Sequence, residues 1–433
     1  MKRTLTLMWL MLLAMPSMAQ EAGLRLLFTN SAAIITNYVG SGTVLTIPDR
    51  ITNYVGPGGV MQTFPNGIPI TGIADYAFQY KQSLTKVVIG DTMGSIGAQA
   101  FYRCDSLVEA SLGRNVTNID DSAFLYCTKL TGITVDAANP SFSTPGGVLY
   151  DKTQEKLVTF PAGLGGAYAV PTSVKTFGDS AFAYSAVNQV TVGDGITNLG
   201  GMVFYSCASL TNLMLGKNLV GIEINPLQGC YRLESITVDE GNPAYSTVDG
   251  VLFDKLRTKL IKFPAGRGGT YKIPDSVTQI AFQGFYGSPN ITSVTIPASV
   301  TNIGYNAFAL SQNLATVYFG GDAPPDDGFG FYLNAKTTVY YLPGTTGWGP
   351  RFGSAPTAVW NLHIQSARFL GGEYEFTIAG DAYLTAVVEA SPTLAPGVWS
   401  PVSTNTLAFV GLSSFSDQGA EGLPIRFYRL AFP

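Results

Sequence analysis

Apolar positions along this chain recur in a frame of about 23 residues. Ile96, Ala100, Phe101, Cys104, Leu107, Ala110 and Leu112 are followed, column by column, by Ile119, Ala123, Phe124, Cys127, Leu130, Ile133 and Val135. The aromatic anchor falls at Phe78, Phe101, Phe124, Phe182, Phe204, Phe285 and Phe308, with Leu227 in the same column, in steps of 23, 23, 58, 22, 23, 58 and 23 residues. A fixed period of this length marks a stack of coils, because one coil cannot bury its own apolar face and must share a core with its neighbours.

Each 58-residue step holds one further strand: Tyr168-Ala169-Val170-Pro171 and Tyr271-Lys272-Ile273-Pro274 match Val294-Thr295-Ile296-Pro297. The step therefore divides into a rung of 35 residues and one of 23. The two long rungs also match each other, Asn139-Pro140 through Phe160-Pro161-Ala162-Gly163 recurring as Asn242-Pro243 through Phe263-Pro264-Ala265-Gly266. A unit of about 103 residues has been duplicated. Short strands at Leu107 to Leu112 and their equivalents are expected to pair into a parallel sheet, with alternate positions pointing in and out. The Phe column is expected on the convex side, in a loop or short helix. Gly147 to Lys152 and Lys156 to Pro161 read as two strands around a polar turn, a β-hairpin expected to project from the stack.

This frame resembles the BspA-like, or treponemal-type, leucine-rich repeat family, and the resemblance covers residues from about 40 to 360. Val203, Pro226 and Gly284 depart from the Ala column, and one residue is missing between Phe182 and Val187. The resemblance implies a right-handed leucine-rich-repeat solenoid and a bacterial surface or secreted protein. It also implies adhesion or binding of host or matrix proteins, without catalytic residues.

The ends differ from the middle. Residues 1–19 combine Lys2 and Arg3, an apolar run from Leu5 to Met15 and Ser17-Met18-Ala19, the pattern of a secretory signal. The expected order is a signal peptide over 1–19, an N-terminal cap with the first rung at Leu45 to Pro48 over 20–69, and the solenoid over 70–319. A C-terminal cap follows over 320–361, where Pro and Gly end the regular rungs. From His363 onward, alternating segments such as Glu373 to Ile378, Ala386 to Ala390 and Arg426 to Leu430 predict a small all-β sandwich over 362–433. It resembles a terminal module of exported bacterial proteins, with anchoring, sorting or spacing as its open roles. No segment after the signal is apolar enough to span a membrane as a helix.

Charge is sparse, 12% of residues with a net charge of -4, and no basic face suits a nucleic acid. The single histidine, His363, sits at the domain junction, which removes Ser-His-Asp and multi-His metal chemistry from the solenoid. Asp120-Asp121 and Asp326-Asp327 are adjacent rather than opposed carboxylates, so no acid/base pair is expected from them. Cys104, Cys127, Cys207 and Cys230 occupy one column of successive rungs and are expected as buried free thiols, although export leaves disulfides open. No cofactor or metal is expected.

The extended surface that such a fold builds is the outward strand row: Ser111, Thr134, Ala169, Thr191, Met214, Thr237, Lys272, Thr295 and Tyr318. Thr is common in strands for its own sake. Uncharged hydroxyls with isolated Met and Tyr suit a protein or glycoprotein better than a phosphate. The expected function is therefore a monomeric, exported interaction or adhesion protein that uses this row or the hairpin tips, not an enzyme. The alternatives are a self-assembling envelope component and a glycan-binding accessory protein.

Overall fold

A computed structural model describes residues 23–29, 31–55, 61–223, 225–326, 328–370, 373–380, 385–395, 398–407, 411–417 and 426–431. The expected signal segment lies outside these residues. The chain forms two compact units, Met1–Cys230 and Tyr231–Pro433.

In the first unit, Val44–Ile47, Lys86–Ile89, Glu109–Leu112 and Gly132–Val135 pair in parallel with in-register columns. Alternation decides which residues face the core: Val87, Ile89, Ala110, Leu112 and Ile133 are buried. The Ile column makes a second parallel ladder, from the end of Met61–Ile73 through Ser95–Ile96 to Asn118–Ile119. Between the ladders the chain turns through the Phe column, not as a helix but as hydrogen-bonded turns. Phe78 N donates to Ala100 O at 2.7 Å and Phe101 N to Ala123 O at 2.8 Å. The side chains stack above one another, 4.9 Å between the Phe78 and Phe101 rings and 5.1 Å between Phe101 and Phe124. A void in this column would remove contacts from two neighbouring coils at once, so its register is strongly specified.

The long rungs differ from expectation in two ways. Phe160 stands in the aromatic column, 4.9 Å from Phe182, and Phe263 does the same against Phe285, so each long step divides after Phe160 or Phe263. The hairpins also do not project. Leu149–Asp151 pairs antiparallel with Lys156–Thr159, which then runs parallel to Thr176–Phe177 in the Ile-column ladder. Leu149, Tyr150, Leu157 and Val158 are all buried, so the hairpin is an extra layer inside the stack with only its polar turn outside. Such burial on both sides removes the large penalty of two exposed apolar strands.

Asn139 locks the entry to this layer. Its Nδ2 donates to Gly113 O and Val116 O of the preceding coil, and its Oδ1 accepts from the N–H groups of Ser141 and Phe142. Asn242 repeats the second half of this arrangement with Ala244 and Tyr245.

In the second unit, Gly269–Lys272, Ile291–Ile296, Thr316–Phe319, Thr338–Tyr341 and Ala355–Val359 form one parallel ladder. Residues 320–361, expected to end the regular rungs, therefore first prolong them. Phe331 joins the aromatic column 5.0 Å from Phe308. The closing module has two antiparallel sheets, His363–Leu370 with Glu373–Ala379 and Leu412–Asp417, and Ser400–Thr406 with Thr385–Ser391 and Phe427–Ala431. Phe376, Ile378, Ala386, Val388, Leu407 and Phe415 fill its core, and the same cluster takes in Tyr318, Trp360 and Leu362 of the coils. Among the described residues there is no α-helix, and no helix is long and apolar enough to cross a membrane.

Candidate partner-binding surface

The outward row of the first unit stands on two sections of sheet. In one, Ser111 and Thr134 are register partners, and Thr134 Oγ1 donates to Ser111 Oγ at 3.0 Å. In the other, Ala169, Thr191 and Met214 are successive partners. Thr134, Ala169 and Thr191 are exposed, as is Met214 at 42%, and Ser111 is half-buried. The row is not continuous. The ladder stops at Gly132–Val135 and restarts at Gly166–Ala169, because the long rung places the turn Pro145–Gly147 in between. A Cβ on Gly147, whose φ is 81°, would lie 3.2 Å from Gly132 Cα, so glycine at 147 permits that close approach.

In the second unit the row divides differently. Thr237 and Lys272 are exposed, but Thr295 is only 6% exposed and Tyr318 only 4%. The outward position expected of these two is corrected here: the terminal module lies on the sheet face of the last coils. Tyr318 stacks on Tyr340 at 5.4 Å inside the shared cluster, and Trp360 Nε1 donates to Thr385 O of the module at 3.3 Å. A recess of about 270 Å³ remains along this seam, lined by Lys272, Asp275, Thr295, Trp360, Arg429 and Leu430. Trp360 and Arg429 are contributors that the repeat pattern did not single out. The signal for them was a change of residue type, two successive aromatic residues, Tyr318 and Tyr340, where the rest of the row carries Ser, Thr, Ala, Met or Lys.

The chemically suggestive side chains have structural partners. Asp120 Oδ1 accepts from Ser122 N and Oγ at 2.9 and 2.6 Å. Asp121 pairs with Lys156 at 2.8 Å, tying a hairpin to the previous coil. Asp326 accepts from Gly328 N and Gly353 N, and Asp327 lies outside the described residues. His363 is exposed, its Nδ1 3.2 Å from Asn361 O. The four cysteines are free and buried. Each thiol donates to the carbonyl of a Phe one coil back: Cys104 to Phe78, Cys127 to Phe101, Cys207 to Phe182 and Cys230 to Phe204, at 3.0 to 3.1 Å. Ser311 and Asn334 do the same toward Phe285 and Phe308. The column thus selects a buried donor for the Phe carbonyl, which at Phe101, Phe182, Phe204 and Phe308 also accepts a backbone N–H. Burial holds the Cys127 thiol well above its ordinary range, opposite to the shift of a reactive cysteine. Among the described residues, no three His, Cys, Asp or Glu side chains gather to hold a metal ion.

The repeats match the model of the BspA type leucine rich repeat region in six copies, over residues 63–164, 167–266 and 269–325. No curated protein matches the sequence. Among solved structures the chain is similar to a leucine rich cell surface protein of Faecalibacterium prausnitzii, at 22% identity over 77% of this chain and 90% of that one, with a TM-score of 0.47. It is also similar to a leucine-rich repeat protein of Bacteroides ovatus, at 20% identity over 75% and 76% with a TM-score of 0.41. For a leucine rich repeat protein of T. pallidum the values are 23% identity, 50% and 91%, and a TM-score of 0.32. The assignment rests on the repeats, which fill more than half of the chain, and on the columns described above: the protein belongs to the BspA-type leucine-rich repeat family.

Proposed function

We propose that this protein is an exported, non-enzymatic interaction module that captures a protein or glycoprotein partner on the sheet face of its first unit. The observation that carries the reading is the contrast between the two sheet faces. Thr134, Thr191 and Met214 stand exposed on rigid ladders in the first unit, whereas the equivalent face at Thr295 and Tyr318 is already covered by the chain's own module. Small hydroxyl side chains on a fixed backbone lose little conformational entropy on binding and offer hydrogen bonds without charge. The solved structure from Faecalibacterium prausnitzii carries the description of a cell surface protein, and the leader-like residues 1–19 agree with export of this chain.

The test is capture of extracellular-matrix and mucin glycoprotein fractions by the immobilised protein, compared with a Thr134→Arg, Thr191→Arg double variant. Both positions point to solvent, so the variant folds. Capture that survives the two bulky charges would remove the row from consideration.

A further inference from the structure

The recess on the seam between the last coils and the terminal module lies within the second unit and has a volume of about 270 Å³. Its apolar lining includes buried Ile296 and Trp360 and half-buried Leu342 and Leu430. Three charged side chains, Lys272, Asp275 and Arg429, line it as well. Apolar walls with a few convergent polar groups, set between two packed parts of a chain, are the usual composition of a ligand pocket.

The duplication shows that the fold does not call for this charge. In the first copy of the repeated unit, Ala169 and Thr172 stand where the second copy has Lys272 and Asp275. The charged pair thus occurs in the copy whose sheet is covered by the module. Asp275 also departs from its own column. Asp49, Asp91 and Asp194 occupy the same turn, and each accepts a backbone N–H of the next coil, from Thr92, Arg114 and Lys217 at 3.0 to 3.1 Å. Asp275 makes no such bond, and among the described residues neither Asp275 nor Lys272 has a hydrogen-bond or ion-pair partner. Arg429, by contrast, is compensated: its Nε pairs with Glu389 at 2.7 Å, and its guanidinium lies 4.5 Å from the centre of the Trp399 ring. The recess therefore presents one uncompensated ammonium and one uncompensated carboxylate.

That balance selects the ligand. An anion alone would meet Asp275, and a cation alone would meet Lys272. A molecule carrying one carboxylate and one ammonium answers both through charge-assisted hydrogen bonds, and an apolar side chain suits the remaining wall. We propose that the recess binds a free α-amino acid with an apolar side chain, its carboxylate on Lys272, its ammonium on Asp275 and its side chain against Trp360 and Leu430. A recess of this volume holds one small molecule rather than a length of polymer. The site is separate from the Thr134 and Thr191 row and stands or falls independently of it.

The test is isothermal titration calorimetry of the full chain with L-leucine, L-isoleucine, L-valine, L-methionine and L-phenylalanine. The N-acetyl derivative of the tightest binder, which lacks the ammonium, and its amide, which lacks the carboxylate, are titrated beside it. Saturable binding at one site is expected for at least one amino acid, with both derivatives weaker by about tenfold or more. Lys272→Ala and Asp275→Thr install the residues of the first copy, which the fold accepts. Lys272→Ala should weaken the amino acid about tenfold and leave its amide unchanged, whereas Asp275→Thr should weaken the amino acid and leave the N-acetyl derivative unchanged. Thr191→Arg should alter none of these, and a retained thermal transition separates lost binding from lost folding. Absence of saturable binding by any of the amino acids, or equal affinity for the amino acid and its blocked derivatives, overturns the proposal. Binding that persists unchanged in both recess variants overturns it as well, because the amino acid then sits elsewhere.

Discussion

Replacing Asn139 by alanine tests how the long rungs are held. The side chain is fully buried and makes four hydrogen bonds, two donated to Gly113 O and Val116 O and two accepted from Ser141 N and Phe142 N. Each is worth roughly 1 kcal/mol net, and a buried group left without a partner costs about 1–3 kcal/mol. The sum for Asn139→Ala is about 4 kcal/mol, roughly a thousandfold in the population of the opened state. All four cysteines belong to the first unit, Cys127 lies in the coil that Asn139 closes, and all are buried. Their reaction with an aromatic disulfide reagent under native conditions therefore reports opening of this unit, provided opening is fast compared with the reaction. Asn115→Ala is the control, because Asn115 makes a single exposed bond to Asp91 O. A thiol reaction rate in Asn139→Ala within about tenfold of the parent, equivalent to about 1.4 kcal/mol, would refute the claim that this side chain locks the layer.

Three further outcomes are expected. Gly113→Ala should destabilise the first unit strongly, since its Cβ would sit 2.4 Å from Gly90 O, whereas Gly132→Ala meets nothing within 4 Å and should leave thermal unfolding unchanged or slightly raised. Burial and the neighbouring Tyr205, Tyr126 and Tyr102 raise Tyr184 from 10.0 to about 12. Its protonated form is thus favoured on folding, so that contribution to stability is complete below pH 10 and is lost as pH rises toward 12; a melting temperature that stays flat across this window contradicts it. Finally, Thr191→Cys should react rapidly with a maleimide while Thr295→Cys stays protected under the terminal module, and equal rates would show that the module does not cover this face.

Much of the fold was legible because a solenoid writes its contacts as a period. Phe78, Phe101 and Phe124 are neighbours in space because they are equivalent in sequence, and the thiol column follows the same rule. Phe160 and Phe263 escaped because Thr159 and Lys262 precede them instead of Ala, and because each was read as the end of a hairpin strand. The hairpin's true position had a signal: Val148, Leu149 and Tyr150 are consecutive apolar residues, the pattern of a strand buried on both faces rather than of an exposed tip. Covering of Thr295 and Tyr318 had a weaker one. It depends on contact between a repeat and a module that shares no period with it, and periodicity carries no information about such a contact.

Partner capture and self-assembly make opposite demands on one measurement. Sedimentation velocity of the full protein over about a hundredfold range of concentration separates them, since assembly follows protomer concentration by mass action. Capture through an open sheet face predicts a single monomeric species throughout, shifting only when a matrix or mucin fraction is added; a species that grows with the protein's own concentration would contradict it.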